Sequence, residues 1–196
     1  MIFYATKQTV DRYKLPMPED INDPVQKTMT KKILSEEAGN PMFEWGMKLF
    51  YFDRRKCLQV IHFASRMAFF LVDIRINERH VIGGYIPGYI YDLFSDDNEM
   101  LALIDRWLKE RPIVVYDHLK DRSMIAQLNF TQREFLYDGY KLYDYFNDGI
   151  LQTRKLNKDY NWSYIPGGKT PDGKRDFRYG AERFQEALKA YYGVSE

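Results

Sequence analysis

Residues 45–76 read WGMKLFYFDRRKCLQVIHFASRMAFFLVDIRI. Three apolar, aromatic and β-branched runs, 47–52, 57–63 and 67–76, are separated by the charged turn Asp53-Arg54-Arg55-Lys56 and by Ala64-Ser65-Arg66. Runs this short, joined by turns of three or four residues, predict an antiparallel meander. Successive side chains of a strand point to opposite faces, so Leu49 and Tyr51 lie opposite Phe50 and Phe52. Both faces are apolar, and both therefore need covering.

The rest of the chain supplies that cover. Residues 2–4 predict a short strand, and Thr6 is placed to cap a helix over 7–14. A loop punctuated by Pro16, Pro18 and Pro24 leads to a helix over 25–38, stopped by Gly39-Asn40-Pro41. Gly83, Gly84, Pro87 and Gly88 make residues 80–88 read as a loop or edge element. The spacing of Met100, Leu103, Ile104, Trp107 and Leu108 predicts a helix from Asp96 or Asp97 to about residue 109. Residues 113–116 and 150–154 read as strands, and Ser123 as the N-cap of a helix reaching about residue 145, with an interruption at Gly139. The polar stretch 157–179, with its two proline–glycine clusters, reads as a loop or hairpin. A final amphipathic helix over 179–192 ends at Gly193. The expectation is a single α+β domain over 1–196, with a mainly antiparallel sheet built on the central three-strand meander and packed with helices. Residues 1–150 form its main body, and 151–196 a basic, aromatic loop or hairpin plus the C-terminal helix.

Composition narrows the class of protein. The 196 residues carry 29 Lys and Arg against 28 Asp and Glu, a formal net charge of +1, which argues against bulk attraction to nucleic acid or an acidic membrane. The balance is uneven along the chain. Asp92, Asp96, Asp97, Glu99 and Asp105 make an acidic helix, while cations thicken the C-terminal third. The lone Cys57 excludes an internal disulfide and a cysteine-based zinc site, which suits a reducing cytoplasm. The start, MIFYATKQTV, has no signal-peptide pattern, and the apolar run 67–76 is broken by Asp73 and Arg75, so no membrane contact is expected.

Three blocks stand out together: IFYATKQTVDRYKLP at 2–16, EWGMKLFYFDRRKCLQVIHFASRMAFFLVDI at 44–74, and LKDRSMIAQLN at 119–129. The chain resembles, on these blocks, a bacterial domain family of unknown function whose members sometimes sit ahead of a plasmid open-reading-frame-three-like domain. The family pattern near the Trp has a polar residue and an aromatic or His where Gly46 and Met47 stand here. The resemblance implies a small α+β domain of a bacterium or mobile element, and no chemistry.

Residues able to carry chemistry occur only in fragments. Asp117, His118 and Asp121 put an imidazole and two carboxylates in one loop, groups that suit a hydrolase or nuclease. His62 lies mid-strand and reads as a packed residue, and Cys57 as a small buried hydrophobe. No phosphate-loop, nucleophile-elbow or zinc-helix motif occurs, and no metal or cofactor is expected. Cations and aromatics interleave at Arg54, Arg55, Lys56, Arg154, Lys155, Tyr160, Trp162, Lys174, Arg175 and Arg178. That mixture suits a single-stranded nucleic acid, because cations neutralise phosphates and rings stack on bases. An ordinary solvated loop has the same composition. Ser123, Gln127 and Asn129 read as structural polar residues, the amides ordering a loop such as the Asp53–Lys56 turn.

The leading expectation is a non-enzymatic binding or regulatory protein acting on a protein partner through a macromolecular surface, since Tyr and Trp favour interfaces. The alternatives are a nucleic-acid binder using the C-terminal basic and aromatic region, and a hydrolase or nuclease centred on Asp117, His118 and Asp121.

Overall fold

The computed structural model describes residues 1–137, 141–170 and 172–194. The chain runs β1 (Ile2–Ala5), α1 (Lys7–Tyr13), α2 (Pro24–Glu37), β2 (Glu44–Phe52), β3 (Arg55–His62) and β4 (Ala68–Val72). It continues as α3 (Ile82–Leu93), α4 (Asn98–Glu110), β5 (Val115–His118), α5 (Arg122–Tyr137), β6 (Phe146–Asn147), β7 (Ile150–Leu151), α6 (Thr153–Asn161) and α7 (Gly180–Tyr192). The main sheet has the order β4-β3-β2-β1-β5, and β6 and β7 form a separate small pair.

The meander is present as β2, β3 and β4, antiparallel throughout. Its first turn is tighter than the charge run implied. Phe52 pairs with Arg55, which leaves only Asp53 and Arg54 in the loop. Both have left-handed φ, 49° and 62°, as a two-residue type I′ hairpin requires. Arg55 and Lys56 therefore belong to β3, and only Arg54 sits at the tip.

The expectation of a mainly antiparallel sheet is corrected: the sheet is mixed. β1 lies between β2 and β5 and is parallel to both, with Ile2 beside Glu44 on one side and Val115 on the other. Residues 6–43, carrying α1 and α2, form the long crossover that a parallel pair needs. Strand composition carries no direction of pairing, so periodicity alone did not reveal this.

Helices cover both faces, as the two apolar faces of the meander require. Trp45, Met47, Leu58, Val60 and Phe69 pack against Ile86 and Ile90 of α3, Ile104 and Trp107 of α4, and Phe184 and Leu188 of α7. On the other face Phe50, Cys57, Ile61 and Phe70 meet Met124, Leu128 and Phe135 of α5 and Leu156 and Tyr160 of α6. Ile2, Val115 and Ile33 of α2 make a smaller third cluster.

Three local expectations change. Residues 80–88 are helical, with the end of a 3-10 turn (Ile76–Val81) running into α3. Gly83 is needed there because a Cβ would stand 2.9 Å from Val114 Cγ2, so tertiary packing outweighs the poor helix propensity of glycine and proline. The helix that starts near Ser123 is described as Arg122–Tyr137 and does not reach residue 145, since a 3-10 turn occupies Leu142–Tyr145; Gly139 lies outside the described residues. The strand expected at 150–154 is only β7, and the expected loop after it begins as α6.

α6 looks polar because two of its side chains do the work of a strand. Asn157 and Asn161 sit one turn apart, both buried, along the open edge of β4. Asn161 Oδ1 accepts from Ala68 N at 3.0 Å, and its Nδ2 donates to Ala68 O at 2.7 Å. Asn157 repeats the pattern on Phe70, at 2.7 and 3.0 Å. The two amides satisfy the alternate backbone groups that a neighbouring strand would otherwise pair.

Candidate binding cleft

The loop residues singled out for catalysis hold structural positions. Asp121 Oδ1 accepts from the backbone N of Ser123 at 2.7 Å and of Met124 at 3.2 Å, at the start of α5. Asp121, not Ser123, is therefore the cap, and its carboxyl pKa is lowered, chiefly by the Ser123 side chain and further by these backbone bonds. Asp117 accepts from the backbone N of His118 at 2.7 Å, and His118 Nε2 stands 2.7 Å from Glu19 Oε1. Among the described residues, no group of three or more His, Cys, Asp or Glu is placed to hold a metal ion. Asp121→Ala is expected to cost about 1 kcal/mol of stability, the usual value of an N-cap. Urea denaturation checks this, and an unchanged midpoint would remove the cap assignment.

Cys57 and His62 are core residues. Burial pushes the Cys57 thiol up to about 12, which leaves almost no thiolate near neutral pH. His62 is fully enclosed, with Nε2 3.0 Å from Met42 O and Nδ1 2.9 Å from Ser65 Oγ. The carbonyl accepts only, so Nε2 carries the proton and Ser65 donates to Nδ1. Trp107 Nε1 donates to the same Met42 carbonyl at 3.1 Å.

The interleaved cations and aromatics do not form one surface. Tyr160 is removed from the binding set: it is fully buried, stacked on Tyr164 with ring centroids 4.6 Å apart and edge-on to Phe70. Trp162 donates from Nε1 to Leu93 O at 3.3 Å and packs edge-on against Phe94. Arg154 pairs with Asp92 at 2.9 Å, so the acidic and basic regions are joined rather than held apart. Lys155 pairs with Asp159, Lys174 with Asp172, and Arg55 with Asp73. Arg175 lies over the ring of Phe177, 5.1 Å from its centroid.

Gln127 and Asn129 also take other roles than the one expected of them. Gln127 Nε2 donates to Pro166 O at 3.0 Å, so it orders the 166–168 loop instead of the Asp53–Lys56 turn. Asn129 is exposed and accepts from Lys48 Nζ at 2.6 Å.

A cleft of about 520 Å³ opens beside that loop. Its walls come from distant parts of the chain, Gln127 of α5 among them. Arg66 projects from the β3–β4 turn, where its backbone is left-handed at φ 64°. Gly167, Gly168 and Lys169 form a second wall, with both glycines at positive φ (71° and 104°). α7 supplies Arg183, Glu186, Ala187 and Ala190, whose 3–4 spacing puts them on one helical face. Asp176 and Arg178 also line it.

The charges in the cleft are unequally matched. Asp176 receives Arg178 Nη2 at 2.7 Å, and that hydrogen bond, chiefly, holds its carboxyl at about 2. Arg178 also pairs with Glu186. Arg183 Nη1 donates to Gly167 O at 2.8 Å and its Nη2 to Asp176 O at 3.1 Å, which pins the glycine loop. Arg183 Nε lies 3.2 Å from Asp176 Oδ2 without the alignment of a hydrogen bond. Arg66 has no carboxylate partner among the described residues, and its side chain donates only to Met124 Sδ, at 3.4 Å. A thioether is a weak acceptor for a group with five donors. Burial lowers the Arg66 pKa, and the more distant Asp121 and Tyr164 offset part of that effect.

Sequence reasoning passed over Arg66 and Arg183. Each is an isolated cation in its own segment, and only the fold brings them together.

Fold and cleft define an α+β domain with a mixed sheet, helices on both of its faces and a basic cleft. The chain belongs to the family described as a domain of unknown function, DUF6933, whose model matches residues 2–183. The match takes in the whole sheet and the cleft lining as far as Arg183. No curated protein and no solved structure matches the chain. Among the described residues, no helix is long and apolar enough to cross a membrane.

Proposed function

We propose that the chain is a non-enzymatic binding and regulatory protein of a bacterium or mobile element, and that it engages an acidic protein partner through the mouth of the cleft. The observation that carries this reading is the placement of unpaired cations in a concave surface: Arg66, half-buried, and Lys169 both line the cleft with no carboxylate partner among the described residues. Unmatched cations at the edge of a concave surface steer and orient an acidic partner.

A second reading, single-stranded nucleic acid, is favoured by Phe177, which is 63% exposed and carries Arg175 on its ring. Rings so placed stack on bases. Fluorescence anisotropy with a labelled glutamate-rich peptide and a labelled single-stranded oligonucleotide, each titrated over a range of salt, separates the two. Peptide binding that weakens at least tenfold on Arg66→Glu supports the first reading. Oligonucleotide binding with a steep salt slope, lost on Arg175→Glu, transfers the function to nucleic acid. Binding of neither probe overturns the proposal. Arg178→Glu is a poor reporter, because Arg178 ties Asp176 to Glu186.

A further inference from the structure

The cleft has features that the engagement of an acidic surface does not require. We infer that it is a subsite for a phosphomonoester group. The inference deepens the proposed binding reading and rests on it.

Three observations lead there. The cleft is lined by four cations, Arg66, Lys169, Arg178 and Arg183, and two carboxylates, Asp176 and Glu186. Two positive charges are therefore left over. A carboxylate neutralises one of them, whereas a phosphomonoester carries about −1.5 to −2 at pH 7 and neutralises both. Arg66 is the second observation. It is a half-buried guanidinium whose side-chain hydrogen bond is spent on a sulfur atom. A cation removed from water without a counter-ion is costly, and a phosphate's three acceptor oxygens match its planar fork of donors. The third is the way the site is held. Gln127 and Arg183 fix the carbonyls of Pro166 and Gly167, so the glycine wall stands in place before any ligand arrives. Pre-formed walls lower the ordering cost of binding.

The volume sets the size of the ligand. About 520 Å³ exceeds what a bare phosphate fills and falls within the range of pockets that take organic ligands, roughly 300–1,000 Å³. The phosphate therefore arrives on an organic group. That group is either a free small molecule or a phosphorylated side chain of the protein partner.

The test is a two-dimensional NMR titration that follows backbone amides and arginine Nε–H signals. The probes are inorganic phosphate, acetate, free O-phosphoserine, and a glutamate-rich peptide with and without one phosphoserine. Phosphate and O-phosphoserine are expected to shift Arg66 Nε–H and the amides of Gly167, Gly168 and Lys169, with at least tenfold weaker effects from acetate. The affinity for O-phosphoserine is expected to rise as pH passes upward through about 6, where the second phosphate proton leaves. Arg66→Gln is expected to weaken it at least tenfold. Lys169→Gln, on an exposed loop, is expected to weaken it several-fold and keeps the test valid if the Arg66 variant does not fold. Arg154→Gln, outside the cleft, is expected to change nothing. A gain of tenfold or more from the peptide's phosphoserine over free O-phosphoserine assigns the phosphate to the partner, and no gain assigns it to a free small molecule. Acetate binding as tightly as phosphate, shifts spread over Arg54, Arg154 and Lys174, or no shift at all overturns the inference. The proposed function fails separately, when the unphosphorylated acidic peptide does not bind.

Discussion

Replacing Asn161 with leucine is expected to destabilise the fold by roughly 3 kcal/mol, because each buried polar group left unpaired costs about 1–3 kcal/mol. Leucine preserves the bulk of the side chain but strands both the N–H and the C=O of Ala68 at the edge of β4. The loss is read in urea denaturation. With an m-value of about 2 kcal/mol/M, the midpoint falls by about 1.5 M. Asn161→Asp is expected to do at least as much damage, since its carboxylate faces Ala68 O and the donor that Ala68 O and Asn157 O share is gone. The pair of substitutions distinguishes hydrogen bonding from packing. If leucine is tolerated within about 1 kcal/mol and aspartate is not, the site needs only an uncharged side chain and the strand-like role of the amides is wrong. Removing Asn157 as well is expected to cost less than the sum of the two changes, because both residues hold the same helix to the same strand.

Acid is expected to weaken the fold through His62. Burial, the dominant cause, pushes its pKa down to about 4, while a backbone hydrogen bond to Met42 works in the opposite direction. The folded chain thus holds a neutral imidazole in the range where the unfolded chain takes up a proton, from about pH 6.5 downward. This contribution is fully present above pH 6.5 and is lost as the pH falls to about 4. At 1.36 kcal/mol per pKa unit, the loss is about 3 kcal/mol. Asp176 acts in a lower window. Its depressed carboxyl contributes stability above its unfolded pKa near 4, which is lost as the pH falls through about 2. Denaturation curves at several pH values between 7.5 and 4.5 therefore exclude Asp176, and only the variant separates the histidine from the Met1 amino group, whose pKa burial also lowers. His62→Gln is expected to be less stable at pH 7.5 and to show a flatter pH dependence. An equally steep slope in the variant would assign the acid sensitivity to another group.

Legibility from the sequence followed the range of the interactions concerned. The β2–β4 meander was readable because neighbouring runs pair with one another and Asp53-Arg54 turns between them. α4 and α7 were readable because Met100, Ile104 and Trp107, and Phe184 and Leu188, repeat at helical spacing and are buried. The parallel placement of β1 was not, because Ile2 meets Val115 across most of the chain. α6 was obscured for a chemical reason. Asn157 and Asn161 are residues of loops and caps by propensity, yet here they are buried and bonded to a strand backbone. The cleft was the least visible. Arg66 lies in a short turn and Arg183 within an amphipathic helix, and neither belongs to the run of cations at 154–178.

The position of β1 also has a consequence for the order in which the chain assembles. β2, β3 and β4 close on one another through two short turns, so they need little loop entropy. β1, although it is made first, acquires its second neighbour only when Val115 has been reached. Non-local pairings of this kind slow folding. The rate-limiting event expected of this topology is the docking of β5 onto β1, with the local hairpins already in place, and substitutions at the β1–β5 seam should slow refolding more than equally destabilising ones in the Asp53-Arg54 turn.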